Sequence, residues 1–479
     1  MEVGLPAERL SRTRSAPVAG IVHLGLGAFF RAHGAIYTEE AVTASGGNWG
    51  IVGVSLQSGT MRDALKPQGG TYIALELAPE GRKPRHVQIV SDVLVAPEDP
   101  QAVLELMADP AIRIVTLTVT EKGYCHQPST GALNLSHPDI AHDLSSDLPV
   151  SAPGFLVRAL GLRRARGLRP FTVLTCDNLP ENGRVVRGVV LELARRIDPA
   201  LADWIAAEAR FPATMVDRIV PATKPEDIAE VAALVGAQDM APVMHEPFRQ
   251  WVIEDDFVDH ARPDWGAVGA QLVKDVTPFE HMKLRMLNGT HSSLAYLGYL
   301  GGHETISDTV ADPAYARFVK ALWQDEIIPN LAAPEGVSLS DYAEALFARY
   351  ANPAIRHRTW QIAMDGSQKL PQRILGTLAE AIAAGRPCPG LILAVAAWMR
   401  YVGGVDEAGQ PIDVKDPLAE RLRALSDSAE GGADKVRALL TLREVFPPEL
   451  AAQIEAPLVA AYETLVAKGA RAAVEEFGQ

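Results

Sequence analysis

Cysteine is scarce in this chain, three in 479 residues: Cys125, Cys176 and Cys388. So sparse and odd a set gives neither a disulfide framework nor paired metal-ligand spacing, which leaves buried thiols as the ordinary reading. Long apolar runs are missing too. The longest uninterrupted one, 391–399, falls well short of the about 20 residues that a membrane-spanning helix needs. The stretch before Ile21 mixes charges, Pro and Ser without the basic start and apolar core of a secretory signal, so a cytoplasmic protein is expected. Positive charge is also in deficit. With 45 Lys and Arg against 59 Asp and Glu, the net charge is −14, which argues against a nucleic-acid partner. It does not exclude a local basic pocket for a small substrate. No internal repeat, low-complexity tract, Ser-His-Asp pattern or Gly-x-x-x-x-Gly-Lys-Ser/Thr phosphate loop is visible.

What is present divides the chain in two. From Gly20 to about Asp275, apolar, partly β-branched runs alternate with helix-compatible stretches. Strands are expected at 20–24, 49–56, 112–120 and 170–176, which points to a doubly wound parallel sheet. Beyond that, helical periodicity dominates: 282–299, 313–328, 339–349, 370–384, 390–401 and most of 419–477. The expected architecture is an α/β, Rossmann-like dinucleotide-binding domain over 1–276 and a mainly α-helical substrate-binding domain over 277–479, with the active site in a cleft between them. A size of 479 residues suits two domains.

The segment Glu280-His-Met-Lys-Leu-Arg-Met-Leu-Asn-Gly-Thr-His291 is the most informative. At about 100° per residue, Glu280, Lys283, Asn288 and His291 fall within an arc of about 140° that Leu284 and Leu287 share. Polar groups aimed where a core stripe belongs are costly unless they have partners or a task. A lysine in a dry cleft has its pKa lowered toward the range useful for proton exchange. Asn288 is suited to donating to an oxygen that gains negative charge, and His291 to bonding a hydroxyl. The plainer alternatives are a snorkelling lysine, an Asn288-Gly289 turn and a satisfied core histidine.

Other motifs add to this. Gly25-Leu26-Gly27, after an apolar strand, fits the opening of a dinucleotide fingerprint, with Ala28, Phe29, Phe30 and Arg31 completing the loop and Phe30 standing where a third glycine belongs. No acid follows the second strand closely, Asp63 being the nearest, so NAD is expected with NADP left open. Ser55, Gln57 and Arg62 are the other residues there. The stretches 118–124 and 175–183 follow strands at ends where ligands sit in open sheets, although Asp177, Asn178 and Asn182 are also good turn formers. Lys369 and Arg373, with Arg356 and Arg358 nearby, concentrate positive charge as a carboxylate-bearing substrate would need, or form a solvated face. Gly302-His303-Glu304 has the look of a zinc triplet, but no glycine or Cys/His cluster completes it, and no metal is expected.

Taken together, Ile21 to His33, Thr118 to Tyr124, Cys176-Asp177-Asn178, 215–219, 246–255 and above all the Lys-x4-Asn-x2-His pattern of Lys283, Asn288 and His291 resemble the polyol-specific long-chain dehydrogenases, the mannitol dehydrogenase family. The likeness covers nearly the whole chain. Phe30 departs from it, standing where the family has histidine. In 120–125, 283–302 and 356–373 the wording is most similar to the fructuronate reductase branch. The resemblance implies metal-independent, NAD-linked interconversion of a secondary alcohol and a ketone, here D-mannonate and D-fructuronate. A neutral polyol of the mannitol or arabinitol type is the alternative substrate, and a non-catalytic nucleotide-binding regulator the alternative class. It implies Lys283 as acid/base, Asn178 and Asn288 on the substrate oxygen, His291 positioning the substrate, Glu280 relaying the proton and Asp217 near the sugar. Lys369 or Arg373 would pair with a substrate carboxylate. A monomer or small homo-oligomer, with no nucleic-acid or membrane partner, completes the expectation.

Overall fold

The computed structural model describes residues 8–127 and 130–477. The first seven residues, part of the stretch read above for a leader, lie outside it. The described chain forms two compact units, Met1–Thr277 and Pro278–Gln479.

The first unit is built on a parallel sheet of five strands. They are β1 (Ala19–Leu24), β2 (Gly50–Ser55), β5 (Val90–Val95), β6 (Ile114–Leu117) and β7 (Thr172–Thr175), in the order β5-β2-β1-β6-β7. Numbered among themselves, these strands run 3-2-1-4-5, the dinucleotide-fold order, whose direction reverses between β1 and β6. Every residue of β6 and β7 is buried, and of β1 only Ala19 is not. That is why these segments read as continuous apolar runs: helices cover both faces of a parallel sheet. The expected strand at 112–120 is shorter than its apolar run, ending at Leu117, and Thr120 turns with φ of 63° into a short helix.

Two smaller sheets went unread in the sequence. One joins the hairpin β3 (Tyr72–Ala78) and β4 (Gly81–Val87) to β9 (Val243–His245), and the other orders β8 (Thr214–Asp217), β10 (Gln250–Glu254) and β11 (Gln271–Val273) as β11-β10-β8. Four of the seven residues of β4 are exposed, so it has no apolar alternation to detect. Strands of three to five residues in the other sheet give periodicity too little length.

The second unit is helical. Pro389–Val402, which holds the longest apolar run of the sequence, is buried at all but two of its positions, as a helix that is apolar all round must be. The backbone N–H groups of Gly390 and Leu391 at its start donate to the Glu326 carboxylate at 2.7 and 2.9 Å. Several expected long helices are interrupted by π-helical turns, at Lys283–Gly289, Leu322–Ile327 and Pro371–Leu375. Hydrophobic spacing at the α period cannot register the extra residue that a π turn inserts.

Candidate active site

At the reversal between β1 and β6, the strand ends are tied together by side chains. His23 is wholly buried, and burial pushes its pKa down to about 3. Its Nε2 donates to the Gly25 carbonyl at 3.0 Å, and its Nδ1 accepts from the Thr116 hydroxyl at 2.8 Å. The Thr118 hydroxyl donates to the same carbonyl at 2.7 Å. Gly25 turns the chain with φ of 89°, a conformation that favours glycine. Gly27 is exposed, and a Cβ placed there would meet nothing nearer than 3.8 Å, so a ligand backbone or pyrophosphate has room to approach.

Phe30 fills the third glycine position in another way. Its ring lies flat on His23, with centroids 3.4 Å apart and planes 6° from parallel. The guanidinium of Arg31 is buried and donates to the Ala241 carbonyl at 2.5 Å, and Phe29 stacks on His33 with centroids 5.0 Å apart. The side chains of Phe30 and Arg31 are thus committed to the interior. What the loop from Gly25 to Phe29 offers a cofactor is its backbone and the half-buried surfaces of Ala28 and Phe29. Past β2, Arg62 is paired with Asp63 at 2.8 Å and also with Glu98. Arg62, a cation beside the expected ribose position, is therefore matched by two carboxylates. That environment suits ribose hydroxyls better than a 2′-phosphate.

Asp177, just past β7, holds the end of β6. Its carboxylate accepts from the backbone N–H groups of Val119 and Thr120 at 2.9 and 3.1 Å and from the Tyr124 hydroxyl at 2.7 Å. Asn182 is 2% exposed; its amide donates to the carbonyls of Asp177 and Thr214 and accepts from the Thr214 N–H. Between these two anchors stands Asn178, which is exposed. Asp217, at the end of β8, is 4% exposed.

In the second unit, Lys283 opens the π turn that contains Asn288. An α-helix would set residues five apart about 140° from one another. The i→i+5 pattern of a π turn instead brings them about one turn apart on the same side. The α-helical arc expected from the sequence is corrected in this respect, and the correction draws Lys283 and Asn288 together. Glu280 ends half-buried in the preceding helix Thr277–Met282, while Lys283 and His291 are each 8% exposed. A π turn disturbs the regular backbone ladder, and side chains make up the difference. Trp323 donates its indole N–H to the Met286 carbonyl at 3.0 Å, and Tyr350 its hydroxyl to Leu287 at 2.8 Å. Gly289 lies inside this turn with φ of −63°, not at a reverse turn. A Cβ there would sit 2.5 Å from the carbonyl oxygen of Arg373, in another π turn. Only glycine lets the two backbones approach so closely.

Around His291 the second unit gathers positive charge. Burial first, then His357, Arg373, Arg349 and Lys369, hold the His291 pKa well below its usual value, so the ring is neutral at physiological pH. Its ring stacks on Tyr350 and meets His357 edge-on with centroids 4.6 Å apart. Arg373 donates to the Ser292 hydroxyl at 3.1 Å. Lys369 donates to the Met364 carbonyl at 2.6 Å, and burial lowers its pKa. Asp365, just before the helix Gly366–Leu370 that carries Lys369, has φ of 57°, a strained position of the kind that clusters at functional sites. Arg356 and Arg358 point elsewhere, to Glu304 at 3.9 and 3.5 Å. Sequence reading missed His357 between them as a site residue, because only the fold brings its ring against His291.

Residues 19–267 match the family model of the mannitol dehydrogenase Rossmann domain, and residues 275–466 that of the mannitol dehydrogenase C-terminal domain. The chain is 48% identical to D-mannonate oxidoreductase of Escherichia coli, over 99% of both chains. It is 41% identical to mannitol 2-dehydrogenase of Pyrenophora tritici-repentis, over 96% of this chain and 81% of that one. Among solved structures, a ternary complex of Pseudomonas fluorescens mannitol 2-dehydrogenase with NAD and D-mannitol superposes with a TM-score of 0.85 at 37% identity, covering 99% of this chain and 97% of that one. The chain belongs to the mannitol dehydrogenase family, the family that its strand-end loops and its lysine-bearing π turn resemble.

Proposed function

We propose that this protein is an NAD-dependent secondary-alcohol dehydrogenase that interconverts D-fructuronate and D-mannonate, with a lysine rather than a metal ion as its acid/base. The observation that carries this is the placement of Lys283 and Asn288 on one π turn beside a cluster of cations. A proton donor and an oxygen-binding amide are what a ketone needs as it becomes an alkoxide. Cations within reach of the same segment are what a sugar acid needs and a neutral polyol does not. The 48% identity to D-mannonate oxidoreductase supports the same substrate.

NAD supplies the hydride carrier, and the backbone from Gly25 to Phe29 would hold it, with Asp63 and Glu98 near its ribose. In the reducing direction hydride adds to the ketone carbon, and Lys283 gives its proton to the oxygen. Asn288 and Asn178 hold that oxygen while it is charged, and Glu280 returns a proton to Lys283. His291 and Asp217 bind hydroxyls, and Arg373 or Lys369 takes the carboxylate. The same reading makes the protein a cytoplasmic enzyme, active as a monomer or small homo-oligomer, with small molecules as its only ligands.

Two measurements test this. Initial rates on D-mannonate and D-mannitol, each with NAD and NADP, should show a clear preference for mannonate with NAD; a preference for mannitol overturns the substrate assignment. Lys283→Ala should lower kcat by about 10²–10⁴-fold, the usual worth of a positioned acid/base, with unchanged thermal unfolding. Near-normal turnover in that variant would sink the mechanism.

A further inference from the structure

His357 was given no role in the sequence reading, although it lies within the stretch 356–373 that carries the resemblance, and the site needs an account of it. Its backbone is pinned on both sides: its N–H donates to the Ile355 carbonyl at 2.8 Å, and its carbonyl accepts from the Ile306 N–H at 3.0 Å. The flanking Arg356 and Arg358 turn out to Glu304, while His357 is half-buried. Its ring meets the ring of His291 at a 67° interplanar angle. Its Nδ1 is buried and has no hydrogen-bond partner among the described residues. Burial and the nearby Lys369 bring its pKa down to about 4, so it is a neutral ring able both to donate and to accept. An orphaned polar atom is costly when buried, and the protein places one where its cations converge.

We propose that His357 is a substrate-binding residue: together with Arg373 and Lys369 it takes the acid end of the sugar, the cations holding the carboxylate and the imidazole the hydroxyl on the adjacent carbon. This division of labour follows from charge. A neutral ring is a poor partner for a carboxylate and a good one for a hydroxyl, and the reverse holds for guanidinium and ammonium groups. The inference rests on the sugar-acid reading above and names which side chain reads the hydroxyl.

The test compares wild type, His357→Phe and His357→Asn on D-mannonate and on D-mannitol. Phenylalanine keeps the edge-on contact with His291 but removes both ring nitrogens; asparagine restores a donor and an acceptor. For His357→Phe the expected result is a KM for mannonate raised about tenfold, the worth of one lost hydrogen bond. kcat should stay within about twofold and NADH affinity unchanged, with partial recovery of KM in His357→Asn. A KM for mannonate that stays at the wild-type value in His357→Phe overturns the proposal, as does an equal loss in His357→Phe and His357→Asn, which is the mark of a merely structural ring. Should either variant fail to fold, protection of Nδ1 by bound mannonate, read from the imidazole ¹⁵N shifts of wild-type protein, decides instead: unchanged His357 shifts on saturation overturn it. Failure of the sugar-acid reading looks different, because wild-type protein itself then prefers mannitol.

Discussion

Asp177 accepts three hydrogen bonds from the residues that follow β6, and two of the donors are backbone N–H groups with no other partner in view. Asp177→Ala would strand the two backbone donors and leave the Tyr124 hydroxyl with Thr175 alone. At about 1–3 kcal/mol for each unsatisfied group, the variant should lose about 3 kcal/mol or more of stability in urea unfolding; a loss under about 1 kcal/mol would show that the loop holds itself. In the sequence this aspartate was legible as a strand-end residue and turn former but not as an anchor, because nothing local shows that its partners lie 53 to 58 residues away. Lys283 and Asn288 were legible for the opposite reason: polar side chains inside an apolar helical stretch announce themselves without any tertiary information. His357 fell between these cases. Its arginine neighbours dominated the local composition, and only the tertiary contact of its ring with His291 marks it out.

Among elements, the π turns decide how the second unit is put together. Gly289→Ala would drive a methyl group into the Arg373 carbonyl and force two π turns apart, costing about 1–3 kcal/mol as overpacking does and lowering kcat on the adjoining lysine. Gly376→Ala is the matched control. It also lies in a helix, but its Cβ would meet nothing nearer than 3.7 Å, so that change should be neutral or stabilise by about 0.4–1 kcal/mol. Thermal unfolding and steady-state rates on both variants separate packing from backbone entropy; equal behaviour would refute the close-approach argument. The parallel strands were readable because burial on both faces makes them apolar throughout. The hairpin Tyr72–Val87 was not, because its outer strand Gly-Arg-Lys-Pro-Arg-His-Val is mostly exposed and reads as a charged loop. The π turns left no trace either, since one inserted residue shifts an apolar stripe by less than the width of the stripe.

Over the whole molecule, buried titratable groups set a stability profile. Burial holds His23, His33 and His245 at pKa values of about 3 and His357 at about 4, all below the ordinary 6.5 of an unfolded histidine. On unfolding each takes up a proton, so their contribution is complete above pH 6.5 and is lost as pH falls toward 3. Glu326 works in the other direction. Burial raises it to about 7, so its contribution is complete below 4.5 and is lost as pH rises through 7. Four groups outweigh one, and Tm should climb between pH 4.5 and 6.5 and level off above 7. In Glu326→Gln the opposing trend disappears and the climb should steepen; calorimetry in half-unit pH steps checks both, and a Tm independent of pH across this range would refute the assignment of neutral buried imidazoles.

The contact of Gly289 with Arg373 has one more consequence, for length. The backbone that carries Lys283 and the backbone that carries Arg373 touch each other without a side chain between them. Their spacing is therefore fixed by covalent geometry and van der Waals radii, not by an adjustable loop. On the proposed function, the two groups act as the jaws of a caliper set to a single distance between carbonyl carbon and carboxylate. Sugar acids one carbon shorter or longer than the six-carbon substrate would leave one jaw empty, and chain length, more than hydroxyl configuration, would set the outer limit of what the enzyme accepts.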